Sequence, residues 1–204
     1  MSLSISPKKV AIMQPTFLPW LGYFALIDSV DEFILLDNVQ FDKRSWQQRN
    51  KILSNNVPMW LTVPVLSKGK MHQNINEVQI RRELDSPPFS KHIKSLELNY
   101  KKSPFFADYF DDIKAILLSA PDNLSLLNSK LLELLCKQLG ISFNFTCSSS
   151  LAIEGVKDEL LFNICTFIGA THYVSPPGSM DYLQKSQFFS RSKIHVSYFA
   201  YNHP

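Results

Sequence analysis

Hydrophobic and polar positions along this chain fall into blocks whose period changes several times. Residues 9–13, KVAIM, are apolar and rich in β-branched side chains and are closed by Gln14 and Pro15, the pattern of a short buried strand. Residues 21–31 carry apolar side chains at 21, 24, 26, 27 and 30, a helical stripe. Residues 32–39 return to a near-continuous apolar run that reaches Asp37, as expected of a strand covered on both faces. Strand, helix and strand in so short a span predict a βαβ unit with parallel strands.

The next block reads differently. Residues 48–65 hold two strand-like runs around Asn55-Asn56, and asparagine tolerates the positive φ of a tight hairpin turn. This predicts an antiparallel hairpin that projects from the main sheet or extends it. A polar loop at 66–74 and a short strand at 77–80 follow. From 87 to 139 the period is helical, with Pro87 and Pro88 suited to a first turn, Ser103 as an N-cap ahead of Pro104, and a last helix stopped by Gly140. Alternation then resumes: a strand at 141–147, a helix at 157–170 ending at Gly169, a strand at 171–175, a short helix at 179–188 and a strand at 193–201. The expected fold class is α/β, a mainly parallel layered sheet with a β-hairpin and a helical insertion at about 87–139, in one domain over residues 1–204.

Composition narrows the classes. Apolar residues make up 45% and charged residues 19% of the 204, values that allow a sizeable core. With 12 prolines against 6 glycines, aromatic-lined rigid loops are expected rather than glycine loops. The net charge of +3 suits an anionic small molecule and is too small to argue for nucleic acid. Cys136, Cys147 and Cys165 form no CxxC pair, so reduced thiols in a cytoplasmic protein are expected, without disulfide framework or metal site. No apolar run is long enough to span a bilayer, and no membrane insertion is expected.

In open parallel sheets ligands bind beyond the carboxyl ends of the strands, and three segments fall there. In QPTFLPW, Gln14 offers an amide, while Trp20 and Tyr23 offer rings for stacking; alternatively Pro15, Phe17, Pro19 and Trp20 plug the sheet end. In DNVQFDKRSWQQRN, Asp37, Gln40, Lys43, Arg44 and Arg49 suit a phosphate or carboxylate, arginine gripping an oxyanion with two parallel hydrogen bonds. Solvated surface ion pairs are the alternative for Lys43 and Arg44. In SPPGSMDY, Ser175, Gly178 and Ser179 precede a helix and can cradle a phosphate, although no P-loop pattern is present. The five histidines show no metal-ligand spacing, no GxSxG elbow occurs, and Cys136 and Cys165 fall on apolar helical stripes.

Taken in order, MQPTFLPWLGYF, LDNVQFDKRSWQQRNKI, WLTVPV, LNYKKSPFF, GATHYVSPPGSMDYL and the terminal YNHP resemble the WbqC-like proteins over residues 9–204. The resemblance implies bacterial surface-polysaccharide (O-antigen-type) biosynthesis, hence work on sugar nucleotides or their precursors. Family members carry glycine where SPPG has its first proline, which makes this loop stiffer. The family pattern also runs on past Pro204, so part of its domain is expected beyond this chain. WLGY at 20–23 is similar in position to the HxGH loop of nucleotidylyltransferases, with Trp20 and Tyr23 in place of both histidines, a hint of a Rossmann-like, nucleotidyltransferase-like fold.

The expected function is a transferase acting on a nucleotide-linked or phosphorylated sugar. Gln14, Trp20, Tyr23, Gln40, Lys43, Arg49, Ser175, Gly178 and Ser179 bind substrate, Asp37 positions a hydroxyl or acts as base, and Tyr100 and His203 close the site. The alternative is a non-catalytic module that binds a nucleotide sugar or a partner. RNA binding through KRSWQQRNK ranks below both, given the small charge. No cofactor and no oligomeric state follow from the sequence.

Overall fold

The structure, a computed structural model, describes residues 7–82 and 89–203. The described residues divide into two compact units, one of residues 7–14, 20–36 and 141–203, the other of residues 15–19, 37–82 and 89–140.

The first unit is built on a five-stranded sheet. β1 (Lys9–Met13), β2 (Glu32–Leu35), β5 (Phe145–Cys147), β6 (His172–Ser175) and β7 (His195–Tyr198) lie in the order β5-β2-β1-β6-β7, and all four pairings are parallel. Its helices are α1 (Leu21–Asp28), α5 (Asp158–Phe167) and two single-turn helices, α6 (Met180–Leu183) and α7 (Gln187–Ser190). Val10, Ala11, Ile34 and Leu35 are fully buried, which is why the strands read as apolar runs rather than alternating ones.

The second unit carries the antiparallel hairpin of β3 (Arg49–Ser54) and β4 (Val57–Thr62), with Asn55 and Asn56 at φ 48° and 62°, as a two-residue turn of the primed type needs. This hairpin is a sheet of its own and does not extend the parallel one. Ile52 and Leu61 on its inner face join a core with Phe17, Phe41, Ile75, Leu124, Leu127 and Leu131. The helices are α2 (Ser90–Tyr100), α3 (Phe106–Leu118) and α4 (Leu124–Gln138). In α4 the Asn123 side chain accepts from Leu126 N at 3.0 Å, and Gly140 at φ 70° closes the end.

Several expectations needed correction. The run at 32–39 is a strand only to Leu35, since Leu36 N donates to Met13 O and the chain then leaves the sheet. Of residues 141–147 only the last three pair with β2. The strand expected at 77–80 is a 3-10 turn, Ile75–Glu77, followed by isolated bridges of Ile80 to Val65 and Gln79 to Asn123. Ser103 does not cap α3; it accepts from Phe106 N inside a turn, and Phe105 is the capping residue. The helix at 179–188 is broken in two around Ser186, whose side chain caps the second piece. The proline-led start at 87 and 88 lies outside the described residues.

Candidate functional site

Polar side chains gather in two places, one in each unit. In the second unit the loop at 42–48 is built from inside by two glutamines. Gln47 Oε1 accepts from Asp42 N at 3.0 Å. The buried Gln48 side chain accepts from Arg44 N at 3.0 Å and donates to Val63 O at 2.8 Å. Arg44 sits at φ 66° in a turn tightened by Ser45 Oγ donating to Asp42 O. With its backbone satisfied internally, the loop turns Lys43 and Arg44 outward.

Two more segments come beside it. Arg81 N donates to Pro64 O at 2.8 Å and Leu66 N to Gln79 O at 2.9 Å, so residues 79–81 run along 64–66. Lys68 and Lys70 flank Gly69, whose φ of 73° is one that glycine adopts without strain. The result is a groove of about 720 Å³ lined by Lys43, Arg44, Gln48, Lys68, Lys70 and Arg81 among others, with no carboxylate among the described residues of its wall. Its volume is in the range of small-molecule sites. Among the described residues none of these five cations is in an ion pair. Like charges held together raise the local potential and attract an anion.

Beside the groove, β3 and β4 present an outer face of Arg49, Lys51, Trp60 and Thr62, with Arg49 opposite Thr62 and Lys51 opposite Trp60. The Arg49 guanidinium lies 4.0 Å and the Lys51 ammonium 5.0 Å from the Trp60 ring centre. Trp46 packs against Trp60 at 5.4 Å and 44°. Among the described residues the buried Arg49 Nε has no hydrogen-bond partner, which costs about 1–3 kcal/mol.

Asp37 is buried, and its carbonyl accepts from Asn76 N at 2.9 Å. Gln40 Nε2 donates to Met71 O at 3.1 Å and ties down the lysine loop. Tyr100 Oη accepts from Leu53 N at 2.9 Å, fastening the hairpin edge to α2. Phe17 is fully buried, its N–H donating to Trp46 O at 3.0 Å, and the Asn50 amide donates to Leu18 O at 2.6 Å.

In the first unit the strand order changes direction at β1: β2 lies on one side and β6 on the other, and the β1–β6 ladder stops after Val10 and Tyr173. Such a switch point is where open parallel sheets bind ligands. Gln14 follows β1, and its carbonyl accepts from the buried Tyr23 Oη at 3.0 Å. Trp20, 55% exposed, lies over Gly22 and meets Tyr201 edge-on at 5.2 Å. His203 in turn meets Tyr201 at 6.0 Å. After β6, Ser175 Oγ donates to Tyr173 Oη at 3.1 Å and lies 2.5 Å from Ser179 Oγ, which donates to Pro176 O at 2.7 Å. Both serines are buried, and Gly178 lies between them, in the 3-10 turn Pro177–Ser179 that leads into α6. Burial drives the Tyr173 phenol far above its usual range, so it stays neutral.

At the opposite, amino end of the sheet His195 Nδ1 lies 3.2 Å from His172 Nε2, which is 2.6 Å from Ser197 Oγ. Burial, then the neighbouring His195 and Lys9, hold His172 below the usual imidazole range. Among the described residues no group of three or more His, Cys, Asp or Glu is placed to hold a metal. Burial pushes the Cys136 and Cys165 thiols up to about 12, too high for nucleophiles at neutral pH. Also among the described residues, no helix is long and apolar enough to cross a membrane.

Sequence reasoning found Lys43 and Arg44 but missed Lys68, Lys70 and Arg81 as their neighbours, and missed Trp46 and Trp60 altogether. The alternation of Lys51 and Trp60 with buried Ile52 and Leu61 was the available signal for the tryptophan.

A mixed α/β architecture with a parallel sheet, a separate hairpin and a basic groove sets the class. Residues 14–204 match the WbqC-like protein family, and the chain belongs to that family. It is also 41% identical over 197 residues to the uncharacterized protein Rv1507c of Mycobacterium tuberculosis, covering 96% of this chain and 83% of the relative. No solved structure matches the chain.

Proposed function

We propose that this protein is a transferase of bacterial surface-polysaccharide (O-antigen-type) biosynthesis that acts on a nucleotide-linked or phosphorylated sugar. The observation that carries the reading is the groove of the second unit, where five cations line about 720 Å³ with no carboxylate among the described lining residues. A diphosphate brings the opposite charge and enough oxygens to engage several of these side chains at once. The strand order of the first unit supports a Rossmann-like sheet, with Gln14 and the turn at 176–179 bordering its switch point.

The test is thermal stabilisation by nucleoside mono- and diphosphates and nucleotide sugars, followed by mass spectrometry for products. Lys43→Ala with Arg81→Ala abolishes the ligand-induced rise in Tm while the Tm without ligand changes little. An unchanged ligand response in that variant overturns the groove as the site. Stabilisation without any product from the full protein replaces the transferase by a binding module.

A further inference from the structure

We propose that the outer face of the β3–β4 hairpin, with Trp46, is a stacking platform for the planar base of a nucleotide whose phosphates occupy the basic groove. This deepens the reading above and rests on it for the phosphate end only.

Two exposed tryptophans in contact are unusual, since indole is highly buried on average. Trp46 is 53% and Trp60 40% exposed, and each spends part of its surface on the other. The inner face of the hairpin is already used, Ile52 and Leu61 lying in the core. On the outer face Trp60 meets one aromatic ring, Trp46, and two cations, Arg49 and Lys51, among the described residues. Mutual shielding of two apolar rings would explain the contact alone. It does not explain the cations, which a purely apolar cover would not select.

Position connects this face to the groove. Thr62 lies two residues beyond Trp60 on the same face, about 6.6 Å along the strand, and lines the groove. Trp46 belongs to the same loop as Lys43 and Arg44, which line it too. An aromatic surface therefore adjoins the basic groove at two points, the arrangement that a base joined to a diphosphate requires.

The chemistry favours a base over a neutral sugar ring. Sugar C–H groups stack on an electron-rich ring face, and the Arg49 and Lys51 cations over Trp60 withdraw that advantage. Bases stack both on aromatic rings and on guanidinium planes. The Arg49 guanidinium, 4.0 Å from the Trp60 ring centre, adds a cation at the edge of that surface. Trp46 is then the open ring, and Trp60 with Arg49 is the brace beside it.

The experiment titrates wild type, Trp46→Ala, Trp46→Phe and Lys43→Ala/Arg81→Ala with inorganic pyrophosphate and with uridine and guanosine diphosphates, by calorimetry and tryptophan emission. In wild type the nucleoside diphosphates bind about tenfold or more tighter than pyrophosphate and quench the emission. Trp46→Ala erases that increment and leaves pyrophosphate affinity unchanged, and Trp46→Phe keeps most of it. The lysine–arginine variant weakens all three ligands. Equal affinity for pyrophosphate and nucleotide in wild type, or an unaltered nucleotide affinity in Trp46→Ala, overturns the platform and leaves the groove standing. Nucleotide binding that depends on Trp46 without pyrophosphate binding supports the platform and overturns the groove. No binding of any ligand overturns both. Tighter, salt-steep binding of a single-stranded RNA oligomer than of either mononucleotide overturns the mononucleotide assignment.

Discussion

At the end of β6 the buried Tyr173, Ser175 and Ser179 hydroxyls lie within hydrogen-bond distance of one another, and Ser179 also reaches Pro176 O and the Tyr182 side chain. Around the groove of the second unit Lys43, Arg44, Lys68, Lys70 and Arg81 share one sign, and among the described residues none has a carboxylate partner. Both neighbourhoods are polar, follow strands and read alike in sequence, as loops fit for phosphate. They differ in how the polar groups are satisfied. A set of hydroxyls that bond one another stiffens the sheet end, whereas a set of like charges is completed by a partner of opposite charge. Burying an unpaired polar group costs more than pairing one gains, so the first kind resists substitution and the second tolerates it.

That contrast can be broken by experiment, beginning where the effect is largest. Lys43→Glu with Arg81→Glu lowers pyrophosphate affinity on the order of a thousandfold, from two lost charge-assisted contacts and the added repulsion. The Tm of this variant stays within a few degrees of wild type; a collapse in Tm would make these cations structural. Gln48→Leu strands Arg44 N and Val63 O and destabilises by about 2–4 kcal/mol in denaturant titrations. It also weakens anion binding, because the loop that aims Arg44 loses its support. Ser175→Ala leaves the buried Tyr173 phenol without its partner and costs about 2 kcal/mol, a fall of roughly 4–8 °C in Tm. If that variant melts like wild type, the hydroxyl set is not what stiffens the sheet end.

A smaller effect belongs to pH. Because the folded state holds His172 below the usual imidazole range, the unfolded chain binds more protons as pH falls through that range. Stability is therefore full above it and declines as pH drops toward the folded value. His172→Gln flattens the decline between pH 7.5 and 5.5, measured by denaturant melts. The smallest effect is Gly22→Ala. A Cβ there would lie 2.0 Å from the Trp20 ring, so the ring swings away and tryptophan emission changes. Stability moves by less than about 1 kcal/mol, since the helix gains what the contact loses.

What the sequence made legible follows from local rules. The strand at 9–13, the Asn55-Asn56 turn and the stops at Gly140 and Gly169 depend on a few adjacent residues, and each matches the structure. Strand lengths at 32–39 and 141–147 were not legible, because apolar content continues where pairing stops. The cap of α3 was misread because Ser103 has a nearer use in its own turn. In the groove, Lys43 and Arg44 stand out as a charge run, but Lys68 and Arg81 meet them only through the pairing of 64–66 with 79–81. That pairing is set by the core beneath, including Ile75, Val78 and Ile80, and leaves no local signature. The switch point at β1 depends on strand order, which the residues of one strand do not encode.

The five residues Pro15–Pro19 belong to the second unit although the strand before them and the helix after them belong to the first. Asn128, on α4, donates to the carbonyls of Gln47 and Pro15, 81 and 113 residues earlier. On a ribosome, those carbonyls emerge long before the amide that binds them. Lys8, whose backbone N–H donates to Thr171 Oγ1 at 2.8 Å, waits longer still. Neither unit can be completed as its first residues appear: the second waits for residues up to 140, and the sheet of the first closes only once β6 and β7 have been made.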